Sequence, residues 1–159
     1  MEESKAELER LEKWIRRLSK GEAGNEVGVE ANKGVTLVKL DKGFVLCDFI
    51  VHNGVVSDES GKWHEGAMMT LMDGISSWVA FSLTSLHHIT VSLSVSFYSK
   101  PYLQEVVEIE AKATGKKGRM TSVTVEVRNK HHRQPLALGV IWMAPASPSN
   151  NNKPFPSKL

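Results

Sequence analysis

The chain has 159 residues, 41% of them apolar and 24% charged, with a formal net charge of +2. That length suits one domain with a proper core, and the near balance of charge leaves no concentrated basic face of the kind nucleic-acid binding demands. A single cysteine, Cys47, excludes an intrachain disulfide framework and a cysteine-built zinc site.

The N-terminus is acidic and helical in pattern, unlike a signal peptide, and no apolar run is long enough to span a bilayer, so the chain reads as soluble and intracellular. Leu8, Leu11, Trp14, Ile15 and Leu18 recur at three- and four-residue steps with charges between them. This predicts a surface helix over 4–20, opened by a Ser4–Glu7 capping box and stopped at Gly21. Two strands follow near 34–40 and 43–51, joined at Asp41-Lys42-Gly43, and then a turn-rich stretch from His52 to Lys62. Residues 65–82 read as a long helix: Met68, Leu71, Met72, Ile75, Val79 and Phe81 cover so much of its circumference that it is expected to be buried nearly all round.

Beyond it the period changes from 3.6 to 2. Val91, Leu93, Val95 and Phe97 alternate with serines; Val107, Ile109 and Ala111 alternate with charges, as do Val123, Val125 and Val127 with polar residues; 136–143 form a last, more apolar strand. Short turns between them predict antiparallel pairing. The sum is an α+β fold: about six antiparallel strands wrapped around one long central helix, with an extra N-terminal helix. The organisation is 1–33 helix and connector, 34–143 the domain, and 144–159 a Pro/Ser/Asn-rich tail unable to build a core. The tail closes on Ser157-Lys158-Leu159, which reads as a peroxisomal address bound by an import receptor; without that signal the location would be the cytoplasm.

Asp73 is the chemical anomaly, a carboxylate mid-helix among Leu71, Met72, Ile75 and Val79. Desolvation there raises a carboxyl pKa and makes a better base, although an acid at such a position can also face solvent or cap a neighbouring element. The helix opens on His64-Glu65-Gly66, whose free backbone N–H groups and positive dipole end suit a developing oxyanion. Asp73 lies nine residues past His64, about 13 Å along the axis and on the opposite side. One helix cannot bring both features to one carbonyl, whereas two antiparallel helices related by a two-fold axis can. His87-His88 and His131-His132 lack the spacing of a metal set, so no metal is expected. Cys47, in an apolar strand, reads as core filler.

The stretch His64 to Met143 resembles the small hotdog-fold acyl-CoA thioesterases of the phenylacetate-thioesterase and acyl-CoA thioesterase 13 type. The matching text is His64-Glu65-Gly66, Met69-Thr70-Leu71-Met72-Asp73-Gly74-Ile75-Ser76, Thr90 to Pro101 and Thr121-Ser122-Val123. The resemblance implies hydrolysis of acyl-CoA to free acid and coenzyme A at a composite site of a homodimer, assembled further into a homotetramer, with no cofactor apart from the coenzyme A of the substrate. It makes Asp73 the base or nucleophile, the Glu65 backbone N–H the oxyanion donor with Gly66 beside it, and Thr90 an aid to the attacking water; His64 itself reads either as an organiser of the loop and helix start by hydrogen bonding or as a substrate contact. The family's loop amide falls at Asp58, an anion that cannot donate as an amide does. Lys116, Lys117 and Arg119, around the Gly115–Gly118 turn, take the place of the hairpin near the coenzyme A phosphates. Two alternatives stand beside this: a non-catalytic acyl-CoA-binding module, and a hotdog enoyl-CoA hydratase, which the lack of a histidine between Asp73 and His87 disfavours.

Overall fold

The computed structural model describes residues 2–57 and 59–146. Asp58 and the closing Ser157, Lys158 and Leu159 therefore lie outside the described residues. In chain order the elements are α1 (Glu2–Ser19), α2 (Glu26–Asn32), β1 (Val35–Asp41), β2 (Phe44–Ile50), a short 3-10 turn (Asn53–Val55), α3 (Glu65–Thr84), β3 (His88–Phe97), β4 (Val106–Lys117), β5 (Met120–Asn129) and β6 (Pro135–Pro145).

The strands form one antiparallel sheet in the order β1-β2-β4-β5-β6-β3. α3 lies across its inner face, the hotdog arrangement expected from the sequence. The alternating residues of the strands explain the layering. Val45, Cys47, Phe49, Val107, Ile109, Ala111, Val123, Val125 and Val127 are all fully buried, as are Met68, Leu71, Met72, Ile75 and Val79 of α3. Burial of each such side chain contributes roughly 1.5–3 kcal/mol. Gly139 of β6 completes the fit: a Cβ there would fall 2.7 Å from the Met72 Cε, so any larger residue would make that side chain shift where α3 crosses the strand.

Two expectations are corrected here. The first helix starts by Glu2, so Ser4 lies inside its first turn and caps nothing; Glu7 instead accepts from the Ser85 hydroxyl at the far end of α3. Burial of Leu11, Ile15 and Leu18 against the domain, with that bond, fixes α1 in place. The connector after it holds a helix, α2, capped by Asn25, whose side chain accepts from the Gly28 N–H at 2.8 Å. Two edges of the sheet are left. β1 is one; the other is β3, ten residues long, with Ile89 57% and Val91 55% exposed.

Candidate active site

α3 is not buried all round. Thr70, Asp73 and Ser77, at three- and four-residue steps, form a stripe that is only half-buried. Asp73 is therefore half-buried, because position 73 faces the start of the edge strand rather than the inner sheet. The Thr90 hydroxyl, on β3, donates to Asp73 Oδ1 at 2.5 Å. The bond pins one carboxylate oxygen and orients the other. β3 carries an irregularity between Thr90 and Ser92, a register shift that re-aims the strand at this position.

The start of α3 is fixed from below. Trp63 is fully buried and stacks on Phe49, ring centroids 4.8 Å apart, and its backbone N–H donates to the Pro101 carbonyl at 2.9 Å. His64 follows as the N-cap: its backbone N–H donates to the Val55 carbonyl at 2.8 Å, and its Nδ1 accepts from the Gly66 N–H at 3.0 Å. Nδ1 as acceptor leaves the neutral ring's proton on Nε2. Gly66 is thus no free donor, because its own cap has taken its amide. The Glu65 N–H, first of the helix, has no acceptor among the described residues. Its carboxylate is drawn aside by Lys100 Nζ at 2.9 Å, an exposed pair of small energetic weight.

Within one chain Asp73 and the Glu65 amide stay apart, about 12 Å along the helix axis. Lys116, Lys117 and Arg119 are exposed at the β4–β5 hairpin, whose two-residue turn is closed by Gly118 at φ +59°. No carboxylate pairs with them among the described residues. Thr121, at the base of this hairpin, and Thr90 both register with Met143, so the hairpin rises from the Asp73–Thr90 end of the sheet, its base two strands or about 10 Å from Thr90 and Lys116 one strand further. At the other end, a cavity of about 550 Å³ opens between α2 and the start of α3, touching His64, Gly66, Ala67 and Thr70.

Residues 60–136 match the thioesterase superfamily. Over that stretch the chain is similar to the superfamily, and its fold is the hotdog. Thioesterase superfamily member 2 of zebrafish has the same fold at 19% identity, covering 84% of this chain and 95% of its own, with a TM-score of 0.75. A hypothetical thioesterase of Streptococcus pneumoniae with coenzyme A superposes at 0.66 and 22% identity, over 70% of this chain and 88% of the other. A Streptococcus mutans protein bound to acetyl CoA does so at 0.66 and 24%, over 72% and 90%. No curated protein matches by sequence.

Other parts of this hotdog protein are structural. Burial, and then the charge of Asp48, push the Cys47 thiol up to about 12, which leaves it an inert filler. The His131 and His132 N–H groups both donate to Asn129 Oδ1, shaping a turn. Among the described residues no three His, Cys, Asp or Glu side chains gather closely enough for a metal, and no helix is long and apolar enough to cross a membrane. Sequence reasoning missed Trp63, Lys100, the α2 wall of the cavity, and Asn32, which packs its side chain against Gly74 beside Asp73. Asn25 before α2 was the one readable signal for that wall.

Proposed function

We propose that the protein hydrolyses acyl-CoA thioesters in a composite site formed by two copies. The observation that carries this is the Asp73–Thr90 pair on the open stripe of α3, beside the bare edge of β3. A ten-residue strand edge with exposed apolar side chains is a template for pairing. A second copy added there antiparallel sets one α3 against the other and brings the Asp73 of one to the Glu65 amide of its neighbour. Two such sites follow from the symmetry, and pairs of dimers would give the tetramer. The fold's coenzyme A- and acetyl CoA-bound neighbours support a thioester of coenzyme A as the ligand.

In this reading the substrate carbonyl accepts from the Glu65 N–H, where the helix dipole adds to the hydrogen bond. Asp73, steadied by Thr90, takes a proton from water as the water oxygen bonds to the carbonyl carbon. The tetrahedral oxyanion rests on the Glu65 amide. Its collapse breaks the C–S bond, and the thiolate of coenzyme A recovers the proton from Asp73. Lys116, Lys117 and Arg119 hold the phosphates by charge.

Asp73→Asn keeps the shape and removes the base. Thiol release from a panel of aliphatic and aromatic acyl-CoAs should fall roughly 10²–10⁴-fold, with thermal stability and oligomeric mass unchanged. Near-normal turnover by that variant would overturn the assignment. Tight binding of acyl-CoA without thiol release by the unmodified protein would point instead to a binding module, for which Asp58 in place of the loop amide is the supporting feature.

A further inference from the structure

We infer that Glu30, on the α2 wall of the cavity at the start of α3, is a specificity-determining residue that admits neutral acyl groups and rejects those ending in a carboxylate. This rests on the thioesterase reading and goes beyond it by naming the acyl class. The two ends of the site differ in charge. The basic hairpin stands on the Asp73–Thr90 side, so the phosphates of coenzyme A belong there. The thioester carbonyl sits at the Glu65 amide. The acyl group, leaving the carbonyl away from the phosphates, enters the cavity that begins at His64, Gly66 and Ala67.

That cavity is lined mainly by apolar groups, Val27, Ala31, Val55 and Ala67 among them, and its acids are Glu26 and Glu30, one turn apart on α2. Neither forms an ion pair with a cation among the described residues. The backbone of Glu30 is held in place. His52 Nδ1 accepts from the Gly54 N–H at 3.2 Å, so its Nε2 donates to the Glu30 carbonyl, 3.1 Å away. The Glu30 carboxylate lies over Gly54, in the space that a Cβ there would take. An acyl carboxylate entering here would lose water to an apolar wall and meet a like charge, and repulsion of this kind is how a site discriminates against a competitor of equal size.

Matched pairs test this: octanoyl-CoA against suberoyl-CoA, and hexanoyl-CoA against adipoyl-CoA, with kcat/KM measured for the unmodified protein, Glu30→Gln and Glu30→Lys. The neutral ester should be preferred in each pair. The preference, read as the ratio of kcat/KM within each pair, should narrow about tenfold in Glu30→Gln and further in Glu30→Lys. Turnover of neutral esters with an unchanged preference in both variants overturns the inference alone. No thiol release by the unmodified protein from any of the four esters overturns the inference, and none from the aromatic acyl-CoAs either overturns the thioesterase reading with it.

Discussion

Thr90 and Asp73 meet across seventeen residues of sequence, and what their hydrogen bond does separates geometry from proton transfer. The hydroxyl carries no charge and does not titrate near neutrality, so in the proposed reaction its part would be to hold the carboxylate in line with the water. Thr90→Val keeps the β-branched shape that suits the strand and deletes the donor. The expected outcome is a fall in kcat of about 10- to 100-fold with KM little changed, measured in the same thiol-release assay. His64 acts at the same scale through backbone: by taking the Gly66 amide it leaves the preceding one open, a selection no side-chain inventory reveals.

At the scale of elements, the sheet's outer face between β4 and β5 is tied by charge rather than by apolar packing. Arg128 bonds Glu108 and Glu110 on β4 and Glu126 on its own strand, and Arg133 adds a second cation to Glu108. Burial pushes the Glu108 carboxyl up, but hydrogen bonds and charge from Arg133 and Arg128 outweigh it and hold it below the usual Glu value. A depressed folded pKa means the unfolded chain binds the proton more readily. The stabilisation from Glu108 is therefore complete above the ordinary Glu pKa, shrinks as pH falls below it, and is gone below the depressed one. Glu108→Gln should melt at lower temperature than the unmodified protein at neutral pH, and the gap in Tm should close on acidification past roughly pH 4. A gap that persists unchanged into acid would show that the loss is one of shape.

For the whole molecule the decisive question is whether one site draws on two chains. Glu65→Pro offers a selective tool. It deletes the proposed oxyanion donor, proline is at home at the first position of a helix, and His64 before it is already extended at φ −70°, ψ 134°. Alone it should lower kcat roughly 10²–10³-fold without unfolding the protein. Asp73→Asn and Glu65→Pro subunits co-expressed under different tags and purified as a mixed dimer should regain about half the normal activity, since one of the two sites then holds both intact parts. A mixed dimer as inactive as its parents would mean that each site is built within a single chain.

Composition and periodicity by themselves determined the architecture, since a 3.6-residue apolar repeat at 65–82 and a two-residue repeat after it can bury their faces together in few ways. Asp73 stood out for the same reason: one carboxylate in an apolar helix is visible without coordinates. The resemblance of His64 to Met143 supplied the expected chemistry and Thr90 with it. What sequence could not decide depends on neighbours distant in the chain. Whether Asp73 is desolvated turns on which stripe of α3 the sheet covers. Which amide is free turns on the direction of the His64 ring. α2 escaped notice because seven residues including Gly28 carry too little periodic signal. The cavity it walls is completed by Gly54 and Val55, twenty-odd residues later, and by the start of α3. Local patterns fix what each segment becomes; the shape and charge of the space between segments are set by packing, and tertiary structure alone decides them.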